Sequence, residues 1–294
     1  MTEMTRIEDG DSLRGQVVWF VIFSLIGIVL YSWSLNVLKQ SFDVYFVISL
    51  LVPCGYYYWK YPTKKQDVPA HEMLSRKVAL ILLAYSFVYF VLIYFVHILA
   101  ASVVLWLVQF LIPVIILKAS KVQLSAIGFK WTKIFSNFSD VIIVAVWLTP
   151  FLFFGVRDAE AIRNMIGSPS FYLYLPLGVL YMMLIVAFWE EFFFRGVLLR
   201  SLEVCTGKTV IAVFLSGLLF GIYHFPMRYF NQRSPFFHNA MGSMASTIQE
   251  QFLMGLFLAF VVYRSRNVWQ GIWLHAFLNG FSSIYQISNM IKFS

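Results

Sequence analysis

Two adjacent glutamates and an arginine stand inside a long apolar stretch of this sequence. Glu190, Glu191 and Arg195 interrupt the run 171–199. Ionisable groups at membrane depth are costly unless they pair or face a wet cavity, so they predict a functional site. On a helix, Glu191 and Arg195 lie on one face, in the order that favours an ion pair. Glu190 points about 100° away and is left to face another group. The alternative is a structural salt bridge that locks two helices.

Three more polar side chains, His224, His275 and Asn279, occur in the late apolar runs. His275 and Asn279 are four residues apart and therefore share one face of a helix. A carboxylate beside a histidine can deprotonate water, and a histidine with an asparagine can donate hydrogen bonds to an oxyanion. Glu190, His224 and His275 are also a common zinc ligand set. The alternative is that each histidine only joins helices through a hydrogen bond.

Helix lengths bring these side chains to similar heights. If a tight turn at Gly207 joins two helices into a hairpin, Glu190 and His224 are each 17 residues from that turn, or about 25 Å. His275 follows a turn at Asn267 by eight residues, or about 12 Å. The three side chains therefore meet in the inner half of the membrane if the hairpin projects beyond the inner face.

The segment after His224 is expected to be irregular. Pro226 is predicted to end its helix, which leaves 225–245 polar and without regular structure. Such backbone is stable at membrane depth only beside protein or a water-filled cavity. The next helix is then expected to begin near Gln249 and Glu250, at the membrane interface.

The composition is that of a membrane protein with several spans. Of 294 residues, 60% are hydrophobic and only 12% are charged, whereas soluble domains have about 25% charged residues. Cys54 and Cys205 lie in or beside apolar runs, which indicates neither a disulfide framework nor a thiolate metal site. The basic residues behind the net charge of +8 fall in short loops, where they indicate the orientation of the membrane spans, so we expect no nucleic-acid partner.

The apolar runs predict an all-α, polytopic membrane protein with about eight or nine transmembrane helices and its catalytic core in the last four. A polar tail (1–15) precedes the N-terminal transmembrane helices (16–156), and the core occupies 171–290. Segment 118–140 mixes apolar residues with lysines, which indicates a helix or loop lying in the interface. The predicted spans are 16–35, 44–59, 78–96, 99–117, 141–156, one from 171 onward, 210–224, 248–263 and 268–287.

These nine spans predict an orientation. With the N-terminus inside, 15 Lys and Arg residues fall in inner segments and six in outer segments, with Arg195 inside the membrane. Because short cytoplasmic loops carry an excess of basic residues, we expect the N-terminus in the cytoplasm.

The ordered motifs resemble one known family. The signature of the CAAX-prenyl-protease and bacteriocin-processing (Abi) intramembrane proteases is similar to three motifs here, Glu190-Glu191-x-x-x-Arg195, Phe220-x-x-x-His224 and His275-x-x-x-Asn279. The segment 255–269 before the last histidine is also similar. The resemblance covers about 171–282, and the first spans show no motif that matches.

The resemblance implies a helical membrane endopeptidase whose site opens within the bilayer near its cytoplasmic face. In that family the matches of Glu190 and His224 activate the attacking water, and the matches of His275 and Asn279 stabilise the oxyanion. The supporting residues are Glu191, Arg195 and Phe220. The implied partner is a membrane-anchored protein, prenylated or not, or a hydrophobic peptide, within a lipid bilayer.

We expect no tightly bound cofactor. Zinc held by Glu190, His224 and His275 is the alternative, but these residues lie on three separate helices, without a His-Glu-x-x-His motif to preform part of a site. Neither histidine has an obvious extra carboxylate nearby. Glu191 is expected to act as the carboxylate partner of a histidine only if it gives up its ion pair with Arg195.

Two other classes of protein would use the same buried polar cluster. A transporter would couple ions through it, but the sequence shows no inverted repeat and no pair of helices broken by glycine or proline. A non-proteolytic immunity or scaffold protein would keep the helices and tolerate loss of the carboxylate.

Overall fold

The computed structural model describes residues 13–39, 44–61, 74–96, 102–155, 164, 166 and 168–292. All regular structure in these residues is helical, which confirms the all-α prediction. Residues 1–12, most of the predicted polar tail, lie outside the described part. The helices are α1 (Leu13–Leu38), α2 (Val44–Lys60), α3 (Arg76–Val96), α4 (Ser102–Ala119), α5 (Phe138–Gly155), α6 (169–206), α7 (Thr209–Tyr229), α8 (Ala240–Ser265) and α9 (Val268–Lys292).

These helices form a polytopic membrane protein, as the sequence predicts. Each predicted apolar span corresponds to one helix. Within the described residues, five helices are long and apolar enough to cross a bilayer, and two shorter apolar helices, Leu107–Ala119 and Phe138–Pro150, accompany them. Large apolar side chains such as Val29, Phe87 and Val146 are exposed on the outside of the bundle, as lipid-facing surfaces require.

Helix α6 widens twice around the two glutamates. Residues Met183–Ala187 and Phe192–Leu198 form π-helical turns, and the short α-helical stretch Phe188–Glu191 lies between them. A π-turn changes the direction in which the following side chains project, and such turns are frequent at functional sites. One carbonyl of the second π-turn, that of Phe194, accepts a hydrogen bond from Ser216 of α7 at 3.1 Å.

The region around Pro226 differs from the prediction. Helix α7 continues through Pro226 to Tyr229, and the amide of Phe230 still bonds the Pro226 carbonyl. Proline removes one donor but does not always end a helix in a packed bundle. Only 230–239 is non-helical. Helix α8 begins directly after this segment, where the side chain of Asn239 caps it by accepting from the Gly242 amide.

Gln249 and Glu250 therefore lie within α8, in a third π-turn at Thr247–Phe252, and do not begin that helix. The prediction placed the start too late because it relied on hydropathy, and the first turns of α8 carry small and polar residues. Helix α8 also crosses α7 closely: a side chain at Gly217 would meet the Leu256 amide, and one at Gly255 would meet the Gly217 carbonyl. Small residues allow this approach.

The segment between α4 and α5 contains two short 3₁₀ turns, Leu124–Ile127 and Trp131–Lys133, where a helix or loop in the interface was predicted. Hydrogen bonds fix this segment to the first turns of α9. The indole of Trp269 donates to the Lys130 carbonyl and that of Trp273 donates to the Ile134 carbonyl, both at 3.0 Å.

A second connection holds α9 at the same end of the bundle. The buried carboxylate of Asp140 accepts from Lys60, Tyr61 and Tyr56, and the Tyr61 hydroxyl accepts from Gln270 of α9 at 3.2 Å. Asp140 raises the pKa of Lys60. Burial and Asp140 raise the pKa of Tyr61 to about 12, so both groups stay protonated donors at neutral pH. A buried carboxylate needs such partners, and here they join α2, α5 and α9.

Candidate active site

The predicted ion pair between Glu191 and Arg195 is present, and both side chains are fully buried. An oxygen of Glu191 lies 2.8 Å from the Arg195 guanidinium. That guanidinium also donates to the Gly255 carbonyl of α8 at 3.4 Å and lies 4.2 Å above the ring of Phe220. The contact with Phe220 gives this motif residue a physical role, since an aromatic face attracts a cation.

Glu191 also holds His275, contrary to the expectation that it would have to give up Arg195. The same Glu191 oxygen that pairs with Arg195 lies 2.8 Å from Nδ1 of His275. One carboxylate oxygen has two lone-pair directions and can accept from both groups. His275 therefore has the carboxylate partner that the sequence did not reveal, and its Nδ1–H group donates a hydrogen bond to Glu191.

Glu190 faces away from this pair and lies between two imidazoles. One of its oxygens is 3.8 Å from Nε2 of His224, and the other is 3.9 Å from Nε2 of His275. Glu190 is only 6% exposed. These separations exceed a direct hydrogen bond and allow Glu190 and either ring to contact the same water or substrate atom. The predicted level positions of Glu190 and His224 agree with this geometry.

The orientation of His224 is set by its own helix. Its Nδ1 lies 2.8 Å from the Phe220 carbonyl, one turn earlier in α7. A carbonyl can only accept, so Nδ1 carries the proton and Nε2, the nitrogen toward Glu190, offers a lone pair.

His275 and Asn279 meet directly. Nδ2 of Asn279 lies 3.0 Å from Nε2 of His275, as their predicted shared face requires. Two polar atoms this close can both contact one oxygen atom of a bound group. The structure thus brings the four predicted catalytic side chains, Glu190, His224, His275 and Asn279, into one cluster.

Glu190, His224 and His275 are the residues that would hold a zinc ion in the alternative mechanism. In the described part of the chain, no group of three His, Cys, Asp or Glu side chains is placed to hold a metal ion. Nε2 of His275, the nitrogen that would bind the metal, already contacts Asn279. The Glu191–His275 contact nevertheless removes one of the sequence arguments against zinc, because metal-bound imidazoles commonly have such a carboxylate partner.

The sequence analysis missed a polar group that α3 and α4 bring to the same place. Gln109 of α4 is fully buried and donates to the Tyr223 hydroxyl at 3.3 Å. The ring of Tyr89 stacks on Tyr223, and both tyrosine hydroxyls interact electrostatically with Glu190. A signal existed, since Gln109 is a strongly polar residue inside an otherwise apolar span.

A comparison with family models supports the resemblance seen in the motifs. Residues 172–281 match the family model described as "Type II CAAX prenyl endopeptidase Rce1-like". All four clustered side chains and their supporting residues fall within this range, and over these residues the match confirms the predicted resemblance. No curated protein and no solved structure matches the chain.

The close packing of Gly271 against Glu191 gives a test of this arrangement. A methyl group at Gly271 would lie 2.9 Å from a Glu191 oxygen and 2.7 Å from Val262. We expect Gly271→Ala to displace the carboxylate from Arg195 and His275 and to destabilise the protein by about 1–3 kcal/mol. Thermal unfolding in detergent measures this.

The matched control is Gly55→Ala, in the interior of α2, where nothing lies within 4 Å of the added methyl. That variant should unfold at or above the wild-type temperature, because alanine favours a helix more than glycine does. Equal unfolding temperatures for the two variants would contradict the close contact at Gly271.

Proposed function

We propose that this chain, whose residues 172–281 match the CAAX prenyl endopeptidase family, is an intramembrane endopeptidase that hydrolyses a peptide bond of a membrane-anchored protein. The observation that carries the proposal is the position of Glu190 between two imidazoles, beside a separate Glu191 that is paired with Arg195 and His275. A scaffold has no need for a buried carboxylate held apart from a direct partner. We also propose the orientation with the N-terminus in the cytoplasm, from the distribution of basic residues.

The reaction proposed is attack by an activated water. Glu190, with the Nε2 lone pair of His224 beside it, takes one proton from the water as its oxygen bonds to the scissile carbonyl carbon. When the C–N bond breaks, that proton passes to the departing nitrogen. The products are a new carboxyl group and a free amine, and Glu190 is ready for another cycle.

His275 and Asn279 are proposed to stabilise the tetrahedral intermediate: Asn279 donates through Nδ2, and His275 donates when Nε2 as well as Nδ1 carries a proton. They come from α9, whereas the base comes from α6, so the two groups can approach a carbonyl from different sides. Their polar atoms lie 3.0 Å apart and can both contact one oxygen. Donors fixed before the reaction stabilise developing charge without reorganising. Glu191 fixes the His275 ring, and Arg195 with Phe220 fixes Glu191.

The substrate proposed is a protein whose C-terminus carries a lipid. The matched family is described by its action on CAAX prenyl proteins, in which a prenylated cysteine precedes three C-terminal residues. The exposed apolar faces of the bundle fit a substrate that arrives through the bilayer. A hydrophobic peptide without a lipid is the other substrate class to assay.

The different surroundings of the two glutamates predict different effects of their loss. Glu190→Gln should reduce cleavage of a lipidated peptide in liposomes by about 10²–10⁴-fold, because it removes the base, while protein level stays normal. Glu191→Gln should lower protein level and unfolding temperature, because it leaves Arg195 buried without its counter-charge. Absence of cleavage by the wild type would favour a transporter or scaffold function. Near-normal turnover in Glu190→Gln would contradict the assignment of Glu190 as the base.

The proposed donors are tested by Asn279→Ala. Loss of one oxyanion donor should lower kcat by about 10²–10³-fold with little change in KM. Steady-state kinetics in liposomes separates the two constants. If KM rises while kcat is unchanged, Asn279 binds substrate and does not stabilise the intermediate.

We propose that water activation needs no tightly bound zinc. Purified protein should contain far less than one zinc per chain and keep its activity after prolonged treatment with a strong chelator. Elemental analysis and the cleavage assay measure the two quantities. Stoichiometric zinc, together with activity lost on chelation and restored by zinc alone, would overturn the proposal.

A further inference from the structure

An arginine lies one helical turn beyond His224 and plays no part in the reaction described above. Arg228 is four residues after His224 on α7, about 6 Å along the helix, and is close enough to interact with His224 electrostatically. Its guanidinium donates to the Ser246 hydroxyl and to the Glu250 carboxylate of α8, both at 2.6 Å. The Ser246 hydroxyl in turn donates to the other Glu250 oxygen at 3.0 Å.

The two partners of Arg228 differ in how firmly they are held. Ser246 is buried, and the side chain of Arg228 is only 20% exposed, whereas that of Glu250 is 59% exposed. Ser246 therefore fixes the guanidinium from the protein side, and an exposed carboxylate covers the opposite side. Ion pairs with so exposed a partner contribute little free energy and exchange readily for another anion.

The position of Arg228 fits one part of the proposed substrate. Prenylation modifies a cysteine that precedes three C-terminal residues. A cut placed directly after that cysteine releases those three residues, and three extended residues span at most about 10 Å. The bond to be cut must lie next to Glu190 and His224. The turn of helix from His224 to Arg228, together with the length of the arginine side chain, covers a distance of this order.

We infer that Arg228 binds the C-terminal carboxylate of the substrate and that this carboxylate replaces Glu250 on the guanidinium. The inference rests on the proposed function and specifies the substrate class further: a chain that ends in a free carboxylate three residues beyond the cut. Arginine suits this task because its planar fork of donors bonds a carboxylate through two parallel hydrogen bonds. Ser246 holds the guanidinium in place, and Glu250 occupies its exposed side until substrate arrives.

The experiment compares two S-farnesylated peptides that end in Cys-Val-Ile-Met and differ only in a free carboxylate or a carboxamide at the C-terminus. In liposomes the wild type should cleave the acid with a kcat/KM about 10- to 100-fold above that for the amide, as the loss of a charge-assisted bond predicts. Arg228→Gln should abolish this preference by slowing cleavage of the acid alone. Glu250→Gln should keep the preference and raise kcat/KM for the acid, because the competing carboxylate is gone.

Two further variants keep the test decisive. Arg233→Gln removes an exposed positive charge from the loop that follows α7 and should leave the preference unchanged. Arg228→Lys keeps the charge without the two-pronged geometry and should retain a smaller preference. Equal cleavage of acid and amide by the wild type, or an equal loss for both peptides in Arg228→Gln and Arg228→Lys, would overturn the inference. Cleavage of neither peptide by the wild type would instead count against the proposed function.

Discussion

The burial of Glu191 and Arg195 is the constraint on which the rest of the site depends. Both side chains are excluded from solvent, and leaving either without the other would cost about 3–5 kcal/mol. The surrounding helices supply what these charges need: the Gly255 carbonyl from α8, the Phe220 ring from α7 and the His275 imidazole from α9. Satisfying one ion pair thus fixes three helices relative to α6.

The same constraint separates two neighbouring glutamates into different environments. Glu191 is paired with Arg195 and His275. Glu190 is turned toward the Nε2 atoms of His224 and His275, and its oxygen nearer His275 has no hydrogen-bond partner within the described residues. A buried carboxylate oxygen without a direct partner contributes nothing to holding the helices together, so other contacts must do so. The contacts of Glu191 with Arg195 and His275 hold these helices together.

Much of the fold and of the candidate site could be predicted from the sequence, because residue spacing alone sets the phase and length of a helix. The nine apolar spans, the Glu191–Arg195 pair and the equal heights of Glu190 and His224 all follow from residue counting. Other features depend on packing between distant segments. The π-turns of α6, the passage of α7 through Pro226 and the second partner of Glu191 arise only when other helices supply contacts. Gln109 carried a signal, but no spacing rule connects it to Tyr223.

The hydrogen bonds at the start of α9 tie the matched region to the rest of the chain. Trp269 and Trp273 donate to carbonyls at 130 and 134, and Gln270 donates to Tyr61, all of them outside 172–281. A chain cut down to the matched region would leave these buried donors without acceptors just before His275, and each such loss is destabilising. The early helices, which carry no recognisable motif, therefore supply contacts that the matched region needs, and any exchange of them between related proteins would have to preserve these acceptors.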